Sequence, residues 1–333
     1  MDHRVAVLVA LLLLAAGLGA WEWYWRSIGA EPGSRNTAGL WATQRRRISQ
    51  GEGDATVLIG SSRMLTNVQL DVWERLDGRR PIQLAIEGTS PVPVLEDLAA
   101  DTAFRGRLLV GVTPGLFFSG FTYREEFFDF PRKQTPSERA SQWLSMRLVE
   151  PVFSFYEPAF ALFAVLKRQP RAQRPGAEER LDVPAIFTME RDRNARLWHR
   201  FETDTAYRGY VQRIWAQNFG APRIAGAQAR QAGADRQRLQ VERSATAVKT
   251  LRARGAQVIF VRHPSSGALL EDERTKLPRS TTWDVLLADT GARGIHFEDY
   301  AALQGFTTPE WSHIAASEAD RYTEALYRIV AAE

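Results

Sequence analysis

Apolar positions fall along this chain in distinct regimes. From Val5 to Ala20 the run is apolar or glycine throughout, and Trp21, Trp23, Tyr24 and Trp25 follow it. From residue 55, short apolar blocks alternate with stretches whose apolar residues recur at helical spacing. That alternation lapses between about 116 and 222 and then returns. The blocks Ala55–Ile59, Ile82–Ile86, Leu108–Val112, Val258–Val261 and Ile295–Phe297 predict strands. They are apolar at most positions, interrupted by Thr56, Gln83, Gly111 and His296, as strands covered on both faces tend to be. Helices are predicted over 65–76, from Pro91 to 104, over 223–254 and over 281–288. A terminal helix would carry Ala315, Ala319, Tyr322, Leu326 and Ile329 on one face.

Strands alternating with helices predict an α/β fold, a three-layer parallel sheet with helices on both faces. The chain divides into a transmembrane signal-anchor (1–26), a linker with a short helix at Leu40–Ser49 (27–54), and a main domain (55–333). A long, mostly helical insertion interrupts the main domain at about 116–222. The insertion holds Phe117, Phe118, Phe121, Phe127, Phe128 and Phe130, then Phe153, Phe155, Tyr156, Phe160 and Phe163. Irregularly spaced rings are expected to pack on the sheet, with part of the segment as a lid. The alternative for Val152–Leu166 is a membrane-facing segment. A polar, Pro-containing stretch spans Pro170–Glu179.

The N-terminal run is at the short end for a bilayer span, and the tryptophans extend it as an interfacial belt. A cleaved signal peptide ending near Gly19 or Ala20 is the other reading. The anchor is preferred because a removed peptide has no use for the belt. Arg4 precedes the run and Arg26 and Arg45–Arg47 follow it, so charge alone favours the opposite topology from a cytoplasmic N-terminus.

Composition narrows the classes. The chain is 44% hydrophobic and 25% charged, with a net charge of +4 carried mostly by dispersed arginines. That excess is too small and too scattered for a nucleic-acid partner. With no cysteine, disulfides, thiol nucleophiles and Cys-ligated zinc are excluded. No His/Asp/Glu set has ligand spacing, so no metal and no cofactor is expected.

Candidate chemistry lies in three segments. Val57-Leu58-Ile59-Gly60 runs into Ser61-Ser62-Arg63, which puts Ser62 at the carboxyl end of a buried strand, where ligands gather in open α/β sheets. The alternative role for these serines is to cap the next helix. Glu310-Trp311-Ser312-His313 places an acid three residues before a histidine, so that the carboxylate can orient the imidazole. Glu87-Gly88-Thr89-Ser90-Pro91 offers a glycine whose N–H can approach an oxyanion. Arg63 beside the serine, and Arg262 and His263 after the fourth strand, are candidate substrate contacts, since Arg forks onto carboxylate or phosphate.

Taken in chain order, as nucleophile serine, oxyanion glycine and acid-x-x-histidine, the three segments resemble the SGNH (GDSL-type) hydrolase superfamily. The closer likeness is to its membrane-anchored branch of cell-envelope polysaccharide O-acetylation and D-alanylation proteins. The likeness covers roughly residues 55–115 and 240–333 and leaves the insertion out. It implies a flavodoxin-like fold, Ser62 as nucleophile, His313 as base and Glu310 as its orienting acid. The N–H groups of Ser62 and Gly88 would form the oxyanion hole. It also implies a single-pass inner-membrane protein with its main domain in the periplasm. The implied partners are an envelope polysaccharide and an integral membrane acyltransferase. The sequence departs from the family in having Ser61 where Asp usually precedes the nucleophile, and Glu310 where Asp is usual. The Gly-x-Asn-Asp donor is unmatched, because the corresponding strand ends Gly111-Val112-Thr113-Pro114, leaving Thr113 as the candidate oxyanion donor. The departures keep a non-catalytic binding or scaffold role open, and the aromatic insertion keeps a lipid-facing esterase open.

Overall fold

The structure, a computed structural model, describes residues 2–169, 181–217, 219–220 and 226–332; the Pro170–Glu179 stretch lies outside them. The described strands are β1 (Val57–Ile59), β2 (Ile82–Gln83), β3 (Arg107–Gly111), β4 (Phe187–Met189), β5 (Ala195–Leu197), β6 (Gln257–Arg262) and β7 (Arg293–His296). Five of them form one parallel sheet in the order β2-β1-β3-β6-β7. The chain leaves β1 for β2 on one side, then crosses to β3 on the other. The strand order therefore reverses at β1, and the crevice at its carboxyl end is where such sheets take their ligands. β2 is short, but its extended tail keeps pairing, with Leu84 N–H donating to Leu58 O (2.8 Å) and Ile86 N–H to Gly60 O (2.9 Å).

Alternate strand residues feed two cores. Val57, Ile59, Leu108, Val110 and Phe260 pack against Trp41, Leu95, Val248, Leu251 and Trp283. Leu58, Leu109, Ile259 and Val261 pack against Leu65, Trp73, Tyr322 and Leu326. Each such side chain, fully buried, contributes roughly 1.5–3 kcal/mol. Both faces of the sheet are thus covered by helices. The helix expected over 65–76 is two, Ser62–Asn67 and Leu70–Asp77, which meet at Val68 and Gln69. The helix expected from residue 223 is described as Ala227–Ala253.

The insertion divides in a way the ring count does not reveal. Phe117, Phe118 and Phe127 pack on the sheet as expected. The later rings do not. Phe160 joins Trp25, Leu197, Trp198, Phe201, Val211 and Ile214 in a third core. This half is also not wholly helical, since β4 and β5 form an antiparallel pair.

The third core grips the end of the N-terminal helix. His3–Ser27 is long and apolar enough to cross a membrane, with a mean hydropathy of 2.2 over its best window and none of that window buried. Its 25 residues span about 37 Å at ~1.5 Å per residue. Trp25 stacks on Phe160 at 4.1 Å between centroids. The Trp21 indole donates to Phe160 O (3.0 Å), and Glu22 accepts from the N–H groups of Ser154 and Phe155 (3.0 Å each). The segment expected to be a linker is docked as well. Ser34 N–H donates to Met189 O (2.7 Å), and Gly29 O accepts from the Trp198 indole (3.0 Å).

Candidate active site

Ser62 opens the helix that follows β1. Gly60 allows this close turn: a Cβ there would lie 2.6 Å from Met64 Cβ, and one on Gly111 would lie 2.9 Å from the same atom. Two adjacent strand ends without side chains therefore let the helix seat directly on the sheet edge. Neither serine caps it, because the N-cap, Ser61, makes no side-chain cap bond and its buried hydroxyl has no partner among the described residues. Ser62 is part-exposed, and among the described residues its hydroxyl makes no hydrogen bond.

Glu310 and His313 are both fully buried and form a pair. Glu310 Oε1 lies 2.7 Å from His313 Nδ1 and also accepts the His313 backbone N–H (2.7 Å). Glu310 Oε2 accepts the Trp215 indole N–H (2.6 Å) and the Ser312 N–H (3.3 Å). Burial pushes the Glu310 pKa up. The His313 charge, its ring N–H, the Trp215 indole and the backbone N–H more than offset that, leaving it below the ordinary value. The carboxylate thus stays ionised at neutral pH. It fixes the imidazole with Nδ1 toward the acid, while Nε2 has no partner among the described residues.

The loop bearing this pair is tied to the helix bearing Ser62. Arg63 Nε donates to Ser312 Oγ (3.1 Å), and Ile314 N–H donates to Asn67 Oδ1 (3.1 Å). The residues either side of His313 are therefore fastened to the first and last turns of Ser62–Asn67. Trp311, with φ of +75°, is pinned against Gly267, and its carbonyl accepts the Ser266 N–H (2.9 Å). No hydrogen bond joins the Ser62 hydroxyl to His313 Nε2.

Gly88 and Thr113 follow β2 and β3, the strands flanking β1, so the topology sets them on either side of Ser62 at one edge. Gly88 has φ of +62°, which favours glycine, and a Cβ there would meet Tyr123 at 3.4 Å. The neighbouring Glu87 pairs with Arg124 (2.6 Å) and accepts from Asn36. Thr113 is part-exposed and its side chain does not cap the Pro114–Ser119 helix.

Arg63, Arg262 and His263, expected as substrate contacts, are buried in the interior. Glu273, on the Gly267–Lys276 helix, takes Arg63 on one oxygen (2.7 Å) and Arg262 on the other (2.5 Å), and all three are buried. Burial pushes Glu273 up, but Arg262 and Arg63 pull it down to about 2. Burial lowers Arg262 to about 10. His263 shares a 2.8 Å hydrogen bond with the Tyr322 hydroxyl, and burial, then Arg63, Arg262 and His313, lower it to about 3. Arg63 Nη1 and His263 Nε2 are enclosed without partners among the described residues.

Residues that the sequence did not single out hold the arrangement: Trp215 on the acid, Asn67 on the histidine loop and Glu273 between the arginines. Asn67 and Glu273 read as ordinary helix residues. Trp215 recurs at helical spacing with Tyr207, Tyr210, Val211 and Ile214, so it reads as part of the apolar face of a helix. Among the described residues, no group of three or more His, Asp or Glu could hold a metal ion. A depression of about 380 Å³ is lined by Arg45, Asp97, Asp101 and Phe128. It lies where helices enter the amino edge of the sheet, away from Ser62.

No protein-family model matches the chain, and no curated protein is significantly similar to it.

Proposed function

We propose that this chain is a membrane-tethered serine esterase or O-acyltransferase of the SGNH type, with its three-layer α/β domain in the periplasm, acting on a cell-envelope polysaccharide. The observation that carries this reading is the buried Glu310–His313 pair with a free Nε2, on a loop fastened to the helix that Ser62 opens. The Ser62 hydroxyl attacks an ester carbonyl while His313 Nε2 takes its proton. The tetrahedral oxyanion is met by the N–H groups of Ser62 and Gly88 and by the Thr113 hydroxyl. His313 then returns the proton to the departing alcohol, leaving an acyl group on Ser62. A sugar hydroxyl accepts that group in transfer, and water accepts it in hydrolysis. An integral membrane acyltransferase is the proposed donor-side partner. A small closure must precede attack, since Ser62 and His313 are not yet bonded; such bonds often tighten only with substrate.

The test is labelling with a fluorophosphonate, which needs an activated serine. Wild type and Ser61→Ala should label, while Ser62→Ala and His313→Ala should not. Labelling that persists in Ser62→Ala would overturn the assignment.

The missing Ser62–His313 hydrogen bond and the unmatched amide donor favour a second reading, a binding or scaffold subunit built on the same frame. A wild-type chain that binds envelope polysaccharide but never labels would establish it.

A further inference from the structure

The insertion turns part of its apolar surface outward beside the end of the N-terminal helix. The short Leu162–Lys167 helix packs Val165 into the third core, yet leaves Leu162, Phe163 and Leu166 exposed, Phe163 by 79%. In a water-facing helix the apolar stripe lies against the core; here a second stripe faces away from it. Val152 and Phe153 are also exposed. These residues adjoin the groups that hold the span. Val152 O accepts from Arg26 (2.8 Å), Ser154 N–H donates to Glu22, and Phe160 stacks on Trp25. Trp23 and Tyr24 project from the same helical turns, 71% and 46% exposed. Lys167 and Arg168 follow Leu166 directly, as cationic residues do at the margin of an interfacial helix.

We propose that this surface is a membrane foot: Val152, Phe153, Leu162, Phe163 and Leu166 enter the headgroup and upper acyl region of the bilayer that the N-terminal helix crosses. The inference rests on reading His3–Ser27 as a bilayer span. The occupant is lipid because the surface continues the apolar path of the span, and residues within a few positions of it grip the span's last turns. Exposing large apolar side chains singly to water is unremarkable, but a contiguous patch rimmed by polar residues marks an interaction surface.

The chain has no cysteine, so single labels need no prior substitution. The full chain, one copy per nanodisc of phosphatidylcholine and phosphatidylglycerol, would carry an environment-sensitive fluorophore at Leu12→Cys, Phe163→Cys, Leu166→Cys or Thr250→Cys. Thr250 is an exposed position on the helix covering the opposite face of the sheet. Lipids spin-labelled on the acyl chain should quench the probes at 12, 163 and 166 several-fold more than the probe at 250. Quenching at 12 with 163 and 166 behaving like 250 would overturn the foot and leave the span intact. No quenching at 12 would remove the span and the foot together. Shielding of 163 and 166 only in discs holding two copies would replace lipid with a second copy of the chain.

Discussion

The Trp215 indole N–H points at Glu310 Oε2 from 2.6 Å, so a residue of the insertion holds the acid that holds His313. The Thr205–Ala216 helix also reaches this loop through Gln212, whose amide donates to Pro309 O (3.0 Å). The insertion is therefore a wall of the candidate site as well as the seat of the N-terminal helix.

Trp215→Phe keeps the ring and removes that bond. A hydrogen bond to a charged group contributes about 1.5–3 kcal/mol, so the fluorophosphonate labelling rate should fall about tenfold to a hundredfold. With a generic acetyl ester as probe, kcat should fall while KM holds. An unchanged rate would show that Trp215 serves packing alone.

Glu310→Gln preserves shape but removes the charge that orients the imidazole. By the logic of acid–histidine pairs, labelling should fall about a thousandfold or more. The thermal unfolding midpoint should move much less than the rate, which separates loss of chemistry from loss of fold. A near-wild-type rate would show that Glu310 does not orient the imidazole for this chemistry.

Glu273→Ala leaves Arg63 and Arg262 buried together without their counter-ion. Removing one partner of such a buried set costs roughly 3–5 kcal/mol, to be read from the unfolding midpoint in denaturant. The double change Arg63→Met with Glu273→Leu should cost less than the sum of the singles, because those groups share one network.

Acid should destabilise the protein in two overlapping windows. His263 is held neutral, its pKa lowered from 6.5 to about 3 by burial and then by the nearby cations. The unfolded chain therefore binds this proton first, and the associated stability, complete above pH 6.5, is lost as pH falls toward 3. Glu273, lowered from 4.5 to about 2 against its burial by Arg262 and Arg63, adds a loss that begins near pH 4.5. In His263→Asn, the slope of stability against pH between these limits should fall by about 1.4 kcal/mol per pH unit, the value for one proton. An unchanged slope would mean that His263 titrates normally.

The sheet was legible because its central strands write dense apolar runs into the sequence, as in Val57–Ile59 and Val258–Val261. The Glu310–His313 contact was legible because both partners sit in one loop. The roles of Arg63 and Arg262 were not. A sequence shows an arginine at a strand end, but not the carboxylate of Glu273 waiting 210 residues from Arg63. The third core was hidden for the same reason. Trp25, Phe160 and Trp198 come from separate segments, and no periodicity joins residues so far apart.

The grip of Phe160, Ser154 and Phe155 on Trp25 and Glu22 has a mechanical result. A span joined to its domain by a slack tether could lean without disturbing what it carries. Here lean is passed on, because Trp25 is packed in the third core and Glu22 is hydrogen-bonded to Ser154 and Phe155. If His3–Ser27 crosses a bilayer thinner than its apolar length, the helix will tilt to hide the excess. The domain would then rotate with it like a head on a stiff neck, carrying Ser62 to a new height above the lipid.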